Sequence, residues 1–376
     1  MYLQRYSVEF ALIVGTVVSL SLMGCPEAGV LEDGLVIVDD VPGMEVTALE
    51  EGSMSLDAAR SAAPMQAGDI VVGTDEGGFL RRVEAVSESR GGMVLKTGPA
   101  SLNEAVNFGL LLSGFNFTTQ DFIDAGLIAE DGNVTLIDLS GKDIYRDNGV
   151  RVSVSSGTLE CVPAVHLAAS WNNWSLDAFR LHTTGTAKLD FDVQVAADTN
   201  DPLTFETDLI PPVVHPFVTS IGPIPVTGRA TLRFPIGVIA QFDGEVSATA
   251  GFDVTDTFEI GATMESDNWD RTFELGEPEL VGHEPVWVVE VGTNVKVYVK
   301  VVAGVSLYES ADLSGYLMPY LNANLAVYPP PASAVLTGGI DAGFAYGLEI
   351  FDFNIVGDSY HYTGPSAELY SWSALN

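Results

Sequence analysis

The sequence predicts a mostly β protein, with a small N-terminal β meander domain followed by a large antiparallel β-sandwich-like domain. Two alternating runs and the spacing of turns carry that prediction. Lys188 to Val195 places Leu189, Phe191, Val193 and Val195 on one face and Lys188, Asp190, Asp192 and Gln194 on the other. Asn294 to Val301 repeats the pattern, with Val295, Val297, Val299 and Val301 opposite Lys296, Tyr298 and Lys300. A pleated strand points successive side chains to opposite faces, so such runs bury one face and wet the other. From Val134 onward, about ten to twelve strands follow at the loop spacing of a sandwich or a large antiparallel sheet.

Composition bounds the function. The 376 residues suffice for more than one domain with its own core. Fifty-one acidic residues against 16 basic ones give a formal net charge of −35. A phosphate backbone needs a Lys/Arg surface, so nucleic acid is excluded as a partner. Cation binding, salty surroundings and an exterior kept soluble by self-repulsion all agree with this charge.

Phe10 to Met23 is apolar or small throughout and follows Arg5. The run is short for a bilayer span and suits the apolar region of a signal peptide. It ends in Leu22-Met23-Gly24-Cys25, which resembles a bacterial lipoprotein signal. The resemblance implies cleavage before Cys25, lipidation of that cysteine and an N-terminal lipid anchor in a membrane. Residues 1–24 are then the signal, 25–34 a tether, and the remainder sits in the cell envelope facing the periplasm or the exterior. Cys161, the other cysteine, reads as a lone buried thiol.

Residues 35–106 form the expected small domain. Asp69-Ile-Val-Val72, Phe79 to Val86 and Met93 to Lys96 are short strands separated by glycine-rich turns, with further strand-like runs from Leu35 to Leu49. Ser101 and Glu104 have capping-box spacing, so a short helix closes the domain. Residues 107–133 are a mixed linking segment, and 134–376 the large antiparallel β domain. Pro211-Pro212 and Gly222-Pro-Ile-Pro225 interrupt the strands, since proline cannot donate to a ladder. The order of Gly68-Asp-Ile-Val-Val72, Phe79-Leu-Arg-Arg-Val83, a short helix and a β tract carrying Gly222-Pro-Ile-Pro-Val226, Asn268-Trp269, Leu307-Tyr308 and Pro319-Tyr320 is similar to uncharacterised secreted or cell-surface β-rich lipoproteins of bacteria. That resemblance implies compartment and fold and carries no activity. Gly68 to Gly73 superficially resembles the opening strand of autoprocessing Hint modules, but no histidine precedes His166, so that chemistry is missing.

The sequence offers candidate binding residues and no catalytic motif. His166, His182, His215, His283 and His361 have no zinc-motif spacing and read as structural. There is no Gly-x-Ser-x-Gly elbow and no Ser-x-x-Lys. Asp198, Asp201, Glu206 and Asp208 make an oxygen-rich loop of the kind hard cations need, which marks calcium as the candidate cofactor. The loop lacks the Asp-x-Asp-x-Asp-Gly order that pre-forms a site. Trp174 and Trp269, flanked by Asn and Asp in turns, are the candidates for meeting a glycan or protein ligand at the surface, whereas Trp171 and Trp287 fall inside strand patterns. The expected function is therefore a surface-anchored lipoprotein with a structural or adhesion-type binding role. A secreted hydrolase would instead need two opposed carboxylates in a cleft. A lipid-carrying fold would need an apolar tunnel.

Overall fold

The computed structural model describes residues 34–58, 65–89, 92–125, 136–242, 244–265, 268–289, 292–308, 311–326, 332–347 and 358–373. The signal segment, Cys25 and the tether to residue 33 lie outside the described residues. The protein is mostly β, built from one small and two large sheets.

The small sheet holds β1 (Leu35–Ile37), β2 (Met44–Glu50), β3 (Ser53–Ala58), β4 (Ile70–Gly73), β5 (Phe79–Ser89) and β6 (Gly92–Pro99), in the order β1-β4-β5-β6-β3-β2. It is more than a meander, because β1 pairs in parallel with β4. One face has its own core of Met54, Leu56, Val71, Phe79, Val83 and Leu95. The other face joins the large core through Ile37, Ile70, Val72 and Leu80. At Gly78 the chain beside the small sheet approaches the rest of the molecule so closely that a Cβ there would lie 1.6 Å from Thr227 Oγ1. Its φ of +96° is also one that only glycine adopts freely. Helix α1 (Leu102–Ala105) follows, its Glu104 carboxylate accepting from the Ser101 backbone N–H at 2.8 Å.

The second sheet contains β7 (Phe108–Asn116), β8 (Leu136–Asp138), β9 (Asp143–Asp147), β10 (Val150–Asn172), β11 (Ser175–Thr199), β16 (Gly244–Glu265), β17 (Asn268–Leu275), β18 (Glu279–Gly282) and β19 (Val286–Val289). Its spine is the antiparallel trio β10-β11-β16, of 23, 25 and 22 residues. At about 3.3 Å per residue the longest runs for about 80 Å. Shorter strands pair end to end along its two edges: β7, β8 and β9 on β10, and β17, β18 and β19 on β16. β7 falls within the tract read from sequence as a mixed linking segment. Its alternation is masked there because Phe108, Leu110 and Leu112 are apolar yet face solvent, while Leu111 and Phe115 are buried. Helix α2 (Thr119–Asp124) follows, with a reciprocal cap between Thr118 and Asp121.

The third sheet contains β12 (Leu203–Asp208), β13 (Val213–Ile221), β14 (Ile224–Arg233), β15 (Pro235–Phe242), β20 (Thr293–Val299), β21 (Val301–Leu307), β22 (Ala311–Ala326), β23 (Ser333–Gly347) and β24 (Asp358–Ser373). β22 carries β20 and β21 end to end on one edge and β23 on the other, with β24 beyond.

The second and third sheets face each other across one core. Phe191, Phe252 and Ile260 meet Val238, Leu317 and Phe344, all at most 2% exposed. Each such side chain contributes about 1.5–3 kcal/mol through removal from water. The two alternating runs behave as predicted, since Leu189, Phe191, Val193, Val195, Val295, Val297, Val299 and Val301 are all buried. Among the described residues, the apolar gap between the sheets bounded by Val193, Val246, Val295 and Leu321 is about 30 Å³. That is room for about one water and none for an acyl chain. Cys161 is buried in this core, and burial pushes its thiol up to about 12. Among the described residues, no helix is long and apolar enough to cross a membrane.

Candidate functional site

The outermost strand of the third sheet, β24, runs along the segmented edge of the second. Phe273 of β17 stacks on Tyr360 and Tyr362, Gly282 of β18 lies under Leu369, and Trp287 of β19 meets Tyr370 edge-on at 5.8 Å. Strand register shows why aromatics collect here. Trp269, Arg271 and Phe273 sit opposite Met264, Ala262 and Ile260, all core residues, so they share the inward face of their sheet. Tyr360 and Tyr362 sit opposite Phe344 and Ala342 and share the inward face of theirs. Among the described residues no further strand covers them at the flank of the sandwich, and each of the two tyrosines is 42% exposed.

The result is a cleft of about 370 Å³ lined by Trp269, Asp270, Arg271, Phe273, Tyr360 and Tyr362. The Phe273 and Tyr362 rings are nearly parallel, with 12° between planes and centroids 5.3 Å apart. Arg271 lies over the Tyr360 ring, its guanidinium carbon 4.4 Å from the centroid. Trp269 tilts against buried Phe179 at 6.0 Å, so its indole bridges core and cleft. Ring faces beside a carboxylate and a guanidinium can stack on an apolar ring face and hydrogen-bond the hydroxyls around it.

A larger depression, about 500 Å³, lies on the outward face of the second sheet and is lined by Leu112, His166, Arg180, His182, Thr184 and Glu259, among others. One row across the sheet reads Gly114, His166, His182, Gly261. The glycines leave the floor open. A Cβ at Gly261 would lie 2.7 Å from the His182 ring, which therefore packs on bare backbone. His182 Nδ1 is 2.5 Å from Glu259 Oε1 and Nε2 is 3.3 Å from Thr263 Oγ1. Burial holds this imidazole below its ordinary pKa, against the opposing pull of Glu259. The order carboxylate, imidazole, hydroxyl is that of a nucleophile relay. Here, however, the hydroxyl of Thr263 stands mid-strand, where the surrounding backbone N–H groups belong to the β11-β16-β17 ladder and are not free to form an oxyanion hole.

The residues singled out from sequence scatter. Trp174 closes the β10–β11 hairpin with Asn173, at φ of +61° and +53°, and donates its backbone N–H to Asn107 O at 3.2 Å. It lies half-buried at the hairpin tip, whereas Trp269 lines the cleft. Asp198 is the last residue but one of β11 and Asp201 lies just beyond the strand, both exposed. Glu206 meets Lys300 at 2.5 Å and Tyr298 Oη at 2.7 Å, and Asp208 meets Arg233 at 2.8 Å. Two of the four carboxylates proposed for calcium thus already face cationic side chains. Sequence reading missed Arg271, Phe273, Tyr360 and Tyr362. The available signal was the i, i+2 spacing in Trp269-Asp-Arg-Thr-Phe273 and Tyr360-His-Tyr362, which puts each set on one strand face.

Compared with known proteins, the chain matches no family model, no curated protein and no solved structure.

Proposed function

We propose that this protein is an envelope lipoprotein, anchored through Cys25, that binds carbohydrate in the aromatic cleft at the flank of its sandwich. The anchor rests on the Leu22-Met23-Gly24-Cys25 motif. The binding role rests on one observation: near-parallel Phe273 and Tyr362 rings, with Arg271 and Asp270 beside them, in a solvent-open cleft. Sugar rings present apolar C–H faces and a rim of hydroxyls, which such a surface complements. The apolar gap at Val193 and Leu321, about 30 Å³, is too small for an acyl chain and speaks against lipid carriage at that place.

The test is affinity electrophoresis of the mature chain through gels containing soluble glucans, mannans, xylans or pectins, with Tyr362→Ala and Arg271→Ala as variants. At least one polysaccharide should retard the wild type, and each variant should weaken that retardation about tenfold, the loss of roughly one stacking or charged contact. Retardation equal in all three proteins, or in none, refutes the cleft assignment. Cys25→Ser should move the protein from the membrane to the soluble fraction, and retained labelled palmitate in that variant would refute the anchor.

A further inference from the structure

A second cluster lies on the outward face of the second sheet, away from the aromatic cleft. Strand pairing sets Asp190 directly opposite Asp253 and Asp192 directly opposite Gly251. Like charges facing each other on neighbouring strands destabilise a sheet. Among the described residues, the ion pairs of Asp192 and Asp253 are made with a single group, His283. That histidine follows β18, and its backbone N–H donates to Gly251 O at 2.9 Å, which fixes its place over the strand. A Cβ at residue 251 would lie 2.1 Å from Asp192 Oδ1 and 2.7 Å from His283 Nδ1, so the glycine clears the space both side chains occupy.

We propose that Asp190, Asp253 and His283 Nε2 form a binding site for a divalent transition-metal ion of the zinc class. Ligand atoms of these three residues lie within 4.8 Å of one another. Two features beyond proximity point to an ion. Asp253 Oδ1 is shut off from solvent and makes no hydrogen bond, while His283 Nε2 faces it at 3.4 Å. Its ion-pair partner is His283 Nε2, and 3.4 Å is the spacing that two ligands of a tetrahedral ion keep when each lies about 2.0–2.2 Å from the metal. The other ring nitrogen, Nδ1, is held by Asp192 at 2.8 Å, and Asp192 by Ser156 Oγ at 2.8 Å. A carboxylate on the far ring nitrogen is the arrangement that orients a metal-binding histidine and raises its basicity.

The donor set selects the ion. One imidazole and two carboxylates suit zinc and its neighbours, whereas calcium and magnesium take oxygen ligands. Three protein ligands leave a coordination position for water or for an oxygen of a bound molecule.

The test is calorimetric titration of the chelator-treated mature chain with zinc chloride. One ion should bind per chain, and calcium chloride at matched ionic strength should produce no such event. His283→Ala and Asp253→Asn should each weaken zinc binding at least tenfold, and Asp192→Asn, which removes only the orienting charge, by about 10- to 100-fold. Absence of zinc binding, or binding unchanged in His283→Ala and Asp253→Asn, overturns the proposal. If a variant fails to fold, the wild-type histidine ring resonances decide: zinc must shift that of His283, and shifts confined to other histidines overturn it.

Discussion

At the scale of single residues, His182 is the side chain whose environment makes the clearest demand. It sits on the outward face of its sheet yet is only 5% exposed, because Arg180, Glu259 and Thr263 surround it over the bare backbone of Gly261. Desolvation lowers its pKa, and the Glu259 contact only partly opposes this. The folded state therefore prefers the neutral ring, while the unfolded chain takes up a proton near its ordinary value of about 6.5. This contribution to stability is complete above that value and is lost as pH falls through it toward the lower folded value. Urea unfolding between pH 7.5 and pH 5 should accordingly show a shallower pH dependence in His182→Gln than in the wild type. Equal slopes would show that the imidazole stays solvated.

At the scale of elements, the outward face of the third sheet is organised by tyrosines laid over cross-strand glycines. Tyr298 pairs with Gly237, Tyr320 with Gly339 and Tyr316 with Gly343. Each ring covers strand backbone that a glycine would otherwise leave to water, and each anchors polar neighbours. Tyr298 Oη donates to Glu206, Lys296 sits 3.9 Å from the Tyr320 centroid, and Tyr316 Oη meets His361 Nδ1 at 3.0 Å. Under them Asp341, 3% exposed, receives Lys296 Nζ at 3.3 Å. A Cβ at Gly339 would lie 2.5 Å from the Tyr320 ring. Gly339→Val should expel that ring and loosen Lys296 over Asp341, costing about 1–3 kcal/mol in urea unfolding. A loss within error of zero would mean the rings are ornamental to the sheet.

At the scale of the whole molecule, the net charge of −35 sets how stability responds to salt. Asp190 and Asp253 show the repulsion locally: desolvation, and next the Asp253 charge, hold the Asp190 carboxyl above its ordinary pKa. Sodium chloride screens such contacts, since the Debye length shrinks from about 30 Å at 0.01 M to about 3 Å at 1 M. The melting temperature should therefore rise with sodium chloride, and a flat response would refute self-repulsion as a limit on stability. Calcium at matched ionic strength is the control: an added rise lost in Asp201→Asn would establish the Asp198–Asp208 loop as a site.

The sequence by itself determined the β class, the inward and outward faces of the long strands and the burial of Cys161, because period-two alternation and apolar context are local properties of the chain. It also located β1, β2, β4, β5 and β6 of the small sheet and the capped turn at Ser101, but not β3 (Ser53–Ala58). Only the tertiary structure decided that β1 pairs in parallel with β4, that Phe108–Asn116 joins the second sheet, and that the small sheet gives one face to the large core. The same holds for both sites. Trp269 was legible as an aromatic in a turn, but its neighbours Tyr360 and Tyr362 come from the far end of the chain through the meeting of two sheet edges. His283 carries no zinc-motif spacing, and it reaches Asp192 and Asp253 through the register of β11 and β16. Strand register is set by the packing of a whole face rather than by residues near the site, so which side chains become neighbours is settled only when the sheets close on their core.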